Sequence, residues 1–170
     1  MAAVLAHAAG ALTGLHWRWF SEAHANETPG SPDAVTALFN TRLPDLQAKP
    51  QPLAIYRGKP LVVNFWAAWC APCVAEMPEL SALAAHYGPR AHFVGIGVDN
   101  AANIAGFLKK VKVDFPIFVA GYGGGDLARA LGNNIGGLPY TVVIDAAGQV
   151  RYTKLGSVDP RELRRVLDSL

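Results

Sequence analysis

The only two cysteines of this chain stand three apart in Trp69-Cys70-Ala71-Pro72-Cys73, directly behind the apolar run Leu61-Val62-Val63-Asn64-Phe65-Trp66. That run predicts a strand leading into Trp69, and the pattern from Cys73 onward predicts a helix, so Cys70 falls at a helix N-terminus and Cys73 one turn inside. Residues three apart on a helix have neighbouring Cβ atoms, and a disulfide accepts Cα atoms about 4.4 to 6.8 Å apart, so the pair can close without backbone movement. The two sulfurs are not equivalent. Unpaired N–H groups and the helix dipole favour a thiolate at Cys70 and bring its pKa below the free value of about 8.5. Cys70 is the expected attacking thiol and Cys73 the resolving one, through a mixed disulfide. Pro72 suits the first helical turn, where a missing N–H is not felt. Ala71 and Pro72 add no cation between the cysteines, which favours a reductant over a strong oxidant.

Strand-like runs at Leu61 to Phe65, His92 to Val98, Phe115 to Val119, Tyr140 to Asp145 and Val150 to Leu155 alternate with helical patterns. The helices are expected at Cys73 to Tyr87, Ala101 to Val111, Leu127 to Leu131 and Pro160 to Leu170. This alternation predicts an α/β fold whose central sheet is covered on both faces. Ala146-Ala147-Gly148-Gln149 joins the last two strands as a hairpin, which makes the sheet mixed. Pro78 is expected to kink the first long helix near Ala75 while Val74, Met77, Leu80, Leu83 and Tyr87 stay inward. Residues 26–52, with Pro29, Pro32, Pro44, Pro50 and Pro52, read as a linker enclosing a short helical piece around Asp33 to Asn40. The folded domain is then expected over 53–170.

Phe65 to Cys73, followed by Glu76-Met77-Pro78 and later by Gly137-Leu138-Pro139-Tyr140-Thr141, resembles the TlpA/ResA/DsbE-type branch of the thioredoxin superfamily over about residues 50 to 170. The resemblance implies a thioredoxin-like fold with a TlpA-type insertion between the dithiol helix and a cis-proline loop, in the stretch from about Asn100 to Gly132. It makes Pro139 the cis-proline that faces the dithiol and keeps cations from the sulfurs, and it makes Leu138 a source of backbone for an extended substrate peptide. Trp69 would border the cysteines and, with Pro72, shape the docking surface, whereas Trp66 reads as core. Thioredoxins proper usually carry a buried Asp six residues before the first cysteine; this chain has Asn64 there. The base must come from elsewhere. Glu76 occupies the position of a TlpA-type carboxylate and is the candidate to take a proton from the resolving thiol, the plain alternative being a solvated first-turn Glu that suits the dipole.

The activity so implied is thiol:disulfide exchange with cysteine pairs of client proteins in the bacterial envelope, by a monomer that needs no cofactor and draws electrons from a membrane thiol carrier. Clients of this branch belong to cytochrome c maturation or to assembly of the oxidase copper site. Tyr140 replaces a small polar residue, and the acidic residue of the cytochrome-maturation group is absent, so a general client range is expected.

Other chemistries fit less well. Cys70, Cys73, His86 and His92 have the formal spacing of a two-cysteine, two-histidine zinc finger, but the helix begins at the cysteines and His92 falls in the next strand. Copper carriage through both thiolates, with Met77 as a soft neighbour, and a non-catalytic adaptor with a static disulfide are the competing readings. The glycine run Gly121 to Gly125 lacks both nucleotide-binding fingerprints and reads as a loop with Asp126 as an N-cap. A net charge of +2 without a basic run gives no case for nucleic acid. Lys109, Lys110 and Lys112 form the densest basic cluster and read as the wet face of a helix. Residues 1–25 read as a signal peptide or inner-membrane anchor, closing on Ala23-His24-Ala25, which has the small-x-small form of a cleavage site.

Overall fold

Residues 30–170 are described by a computed structural model, and the segment read as leader or anchor, 1–25, lies outside the described residues. Among the described residues no helix is long and apolar enough to cross a membrane. The first element among the described residues is helix α1 (Pro32–Asn40), capped by the Ser31 side chain, which accepts from Ala34 N–H at 3.2 Å. A short antiparallel hairpin follows, β1 (Arg42–Pro44) with β2 (Pro50–Pro52). The helix expected inside the linker is present, but this stretch is no free linker. Ala34, Val35, Leu38 and Phe39 are all buried in the core. Of the prolines that suggested a linker, Pro32, Pro44, Pro50 and Pro52 sit where a lost N–H costs little, at the first turn of α1 and in the short hairpin. The packed unit therefore begins before Leu53.

The chain continues through β3 (Leu61–Trp66), α2 (Ala71–Tyr87), β4 (His92–Gly97), α3 (Ala101–Leu108), β5 (Ile117–Val119), α4 (Gly124–Ala130), β6 (Tyr140–Ile144), β7 (Val150–Leu155) and α5 (Pro160–Asp168). The sheet order is β5-β4-β3-β6-β7. β3 pairs parallel with β4 and β4 with β5, while β6 runs antiparallel to both β3 and β7. This is the mixed thioredoxin-like sheet, with α3, β5 and α4 filling the stretch between the dithiol helix and the loop before β6.

Strand β3 is buried at all six positions because both faces of the sheet are covered. On one face Val62 and Trp66 join α2, α3 and α5 through Met77, Leu80, Leu83, Ile104, Phe107 and Leu163. On the other, Leu61, Val63 and Phe65 join α1 and α4 through Val35, Leu38 and Ala128. Trp66 is core, as expected, its ring centroid 5.0 Å from that of Phe107. Gly95 makes room for it, since a Cβ there would stand 3.1 Å from Trp66 Nε1 and closer still to Ile117.

Local boundaries moved for physical reasons. Helix α2 runs on through Pro78, whose ring lies on the exposed face. The glycine run opens a helix rather than a loop: α4 starts at Gly124, where a Cβ would meet Ala120 Cβ at 2.9 Å, so only glycine lets this helix approach. Asp126 is accordingly not the N-cap. It lies in the first turn and pairs with Arg129 at 2.6 Å.

Candidate active site

Cys70 is the N-cap of α2 and Cys73 lies in its first turn. The two are joined in a disulfide with Cα atoms 5.3 Å apart, and the Cys73 N–H points at Cys70 Sγ at 3.3 Å. A helix-terminal N–H aimed at that sulfur is the interaction that would hold a thiolate there once the bond is reduced. Burial divides the pair. Both residues are buried, but Cys70 keeps 5 % of its surface in contact with solvent and Cys73 none, so Cys70 is the nearer of the two to solvent. Pro72 is exposed beside it, and Trp69 stands 65 % exposed next in the chain.

The loop carrying Trp69 is held from beneath by Asp99, at the end of β4. This carboxylate is 1 % exposed and accepts from Ala68 N–H at 3.1 Å, Asn100 N–H at 2.7 Å and Asn103 Nδ2 at 2.8 Å. Sequence reading passed Asp99 over. The available signal was an Asp-Asn pair directly before a helix, which is capping chemistry.

Glu76 is buried, 5 % exposed, one turn behind Cys73. Its carboxylate bridges three elements. Oε1 accepts from Asn64 Nδ2 on β3 at 2.8 Å, and Oε2 accepts from the Val158 N–H just before α5 at 3.0 Å. Asn64 Nδ2 also contacts Thr141 Oγ1 on β6 at 3.0 Å, while Asn64 Oδ1 is buried with no partner among the described residues. Burial pushes the Glu76 carboxyl above its ordinary pKa, and the Val158 and Asn64 hydrogen bonds pull back only in part. The plain alternative, a solvated first-turn Glu, does not describe this side chain. Asn64 and Glu76 lie together because β3 alternates its side chains and sends Val62, Asn64 and Trp66 towards α2.

The Leu138–Pro139 peptide bond is cis, and Pro139 is buried. Tyr140 pairs with Phe65 in the register, which sets Pro139 at the end of the sheet from which β3 leads into the dithiol loop. Leu138, half-buried, packs against the core on both faces. The loop is fixed by Asn133, whose Nδ2 donates to the Gly137 carbonyl at 2.8 Å and whose Oδ1 accepts from Gly136 N–H at 3.1 Å. The Tyr140 hydroxyl, donating to the Leu131 carbonyl at 2.9 Å, holds it from the other side. Asn133 was not foreseen, since a polar residue in a Gly-Asn-Asn loop is indistinguishable from a solvated one before its burial is known.

Together these elements present a disulfide at the helix mouth whose first cysteine is the less deeply buried, a buried carboxyl one turn further in, and an apolar rim. That set can form and break a disulfide with a visiting polypeptide.

Comparison with known proteins agrees with this chemistry. Residues 29–170 match the family described as Redoxin. The chain is 31 % identical over 131 residues to the thiol-disulfide oxidoreductase ResA of Geobacillus thermodenitrificans (strain NG80-2), covering 75 % of this chain and 72 % of the relative. It is 33 % identical over 132 residues to the thiol:disulfide interchange protein DsbE of Pseudomonas aeruginosa, covering 75 % and 69 %. Among solved structures, a secreted Mycobacterium tuberculosis disulfide oxidoreductase homologous to E. coli DsbE superposes with a TM-score of 0.67 at 25 % identity, over 82 % of this chain and all of that one. A thioredoxin-related protein from Neisseria meningitidis serogroup B gives a TM-score of 0.65 at 33 % identity, over 72 % and 92 %.

Proposed function

Since this chain belongs to the Redoxin family and is a thiol–disulfide oxidoreductase of the ResA/DsbE type, we propose that it acts as a monomeric reductant of cysteine pairs in client proteins of the bacterial cell envelope. The observation that carries this reading is the unequal burial of Cys70 and Cys73 above a carboxyl that burial pushes towards holding a proton. The Cys70 thiolate attacks one sulfur of a client disulfide; a Cys70–client bond forms, the client bond breaks, and the released client thiolate takes a proton from solvent. Cys73 then gives its proton to Glu76 and attacks Cys70, which closes the disulfide seen here and frees the second client sulfur as a thiolate. The client gains two electrons and this chain loses two. A dithiol carrier of the membrane restores the reduced form. The absence of a cation between the cysteines supports the reductive direction, and the secreted M. tuberculosis protein of similar structure supports the compartment.

Trp69, Pro72 and Leu138, with the cis Pro139 beneath them, form the rim on which an extended client segment lies, and the clients are of a general range rather than those of cytochrome c maturation alone. Cys70→Ser is expected to abolish turnover of a disulfide substrate, and Cys73→Ser to accumulate mixed disulfides with clients in cells. Full turnover in either variant would rule this mechanism out.

A further inference from the structure

Beside Trp69, an open cleft of about 630 Å³ separates the dithiol loop from helix α3. Trp69 forms one wall, Phe107 and Gly106 line the helix side, and Lys109 and Lys110 stand at its end. Among the described residues no acidic side chain lines it. Neither lysine has a carboxylate partner among the described residues, where the ion pairs are Lys112–Asp114, Asp126–Arg129, Asp145–Arg151 and Asp159–Arg161. Asp99, at the base of α3, is buried and spent on its three hydrogen bonds.

A position at a helix end accounts for lysines by itself; it does not account for Gly106. Glycine is the poorest helix former after proline, yet a Cβ at Gly106 would meet nothing within 4 Å. The fold's own packing does not demand glycine there. A longer side chain would occupy the cleft.

Resting on the reading of this chain as a disulfide reductase, we propose that the cleft receives the client segment flanking the attacked cysteine, and that this segment pairs acidic with apolar residues. An aspartate or glutamate meets Lys109 and Lys110, while an apolar neighbour lies against Trp69 and Phe107. Because Trp69 adjoins Cys70 in the chain, a segment held in this way brings its own sulfur to Cys70. The lysines would select clients and speed encounter, an effect that salt weakens.

The test offers the reduced full chain two synthetic peptides with the same apolar residues and the same internal disulfide. One carries Asp and Glu beside the first cysteine, the other two lysines. At low ionic strength the acidic peptide should be reduced about fivefold to tenfold faster, and the ratio should shrink towards one in about 0.5 M salt. Lys109→Glu together with Lys110→Glu should reverse the order. Gly106→Leu should collapse the ratio by slowing the acidic peptide; a melting transition at or above that of the wild type shows that it folds, and the charge-reversed variant carries the test if it does not. A wild type without preference, or a preference that survives charge reversal, overturns the proposal. A wild type that reduces a small neutral disulfide but treats both peptides alike loses only the cleft assignment. One that reduces no disulfide loses the reductase reading itself.

Discussion

Replacing Glu76 by Gln probes the buried carboxyl from two sides. In the folded chain burial holds this group above the ordinary value of 4.5. A carboxyl whose pKa is higher folded than unfolded carries extra proton on folding between those two values, so the unfolded state is favoured progressively as pH rises through that interval. Stability therefore falls from about pH 4.5 upward and levels off once the folded carboxyl has ionised. One proton sets the ceiling, about 1.4 kcal/mol per pH unit. Gln keeps the shape and discards the charge. Its oxygen can still accept from Val158 N–H, and the Asn64 amide can turn so that the unpartnered Oδ1 accepts from the new NH₂ group. Wild type and Glu76→Gln should thus agree within about 1 kcal/mol near pH 4, and the variant should gain on the wild type through the interval above 4.5. Urea unfolding of the oxidised proteins at half-unit pH steps measures the difference, with the cysteines locked against titration. A difference flat in pH, or one that moves in favour of the wild type as pH rises, refutes a desolvated Glu76. In single-turnover kinetics the same variant should slow resolution of the mixed disulfide by about 10²-fold, because the acceptor for the Cys73 proton is gone.

Leu38→Ala tests whether α1 belongs to the core. Leu38 is fully buried, so the loss should be about 3 kcal/mol by urea unfolding, against a few tenths for a free linker. Tyr87→Phe removes a hydroxyl that donates to Asp168 Oδ1 at 2.7 Å, with the Arg164 carbonyl as second acceptor at 3.1 Å, and should loosen α5 from α2 by about 1 kcal/mol. Burial and the Asp168 charge push the Tyr87 pKa up to about 12, so that cost should hold constant between about pH 6 and 10; a cost that vanishes by about pH 9 would contradict it.

The legible parts of this molecule are those governed by short-range spacing. Two cysteines three apart, an apolar run before them and a helical pattern behind were enough to place Cys70 at the mouth of α2 and to layer helices on a mixed sheet. The same periodicity failed at 26–52, where prolines and a short amphipathic piece look alike whether the segment packs or drifts. Only Leu38 and Phe39 lying against the sheet distinguish the two. Likewise, the lysines just after α3 read as a solvated face because nothing local reveals that Trp69 and Gly106 open a cleft beside them.

From its residues alone this protein is a closable dithiol on a strand–helix junction, since i,i+3 geometry is a local property. The folded molecule decided which cysteine lies nearer solvent and that Glu76 is buried. Its two hydrogen-bond partners lie 12 and 82 residues away, and desolvation by such distant elements leaves no trace in local sequence.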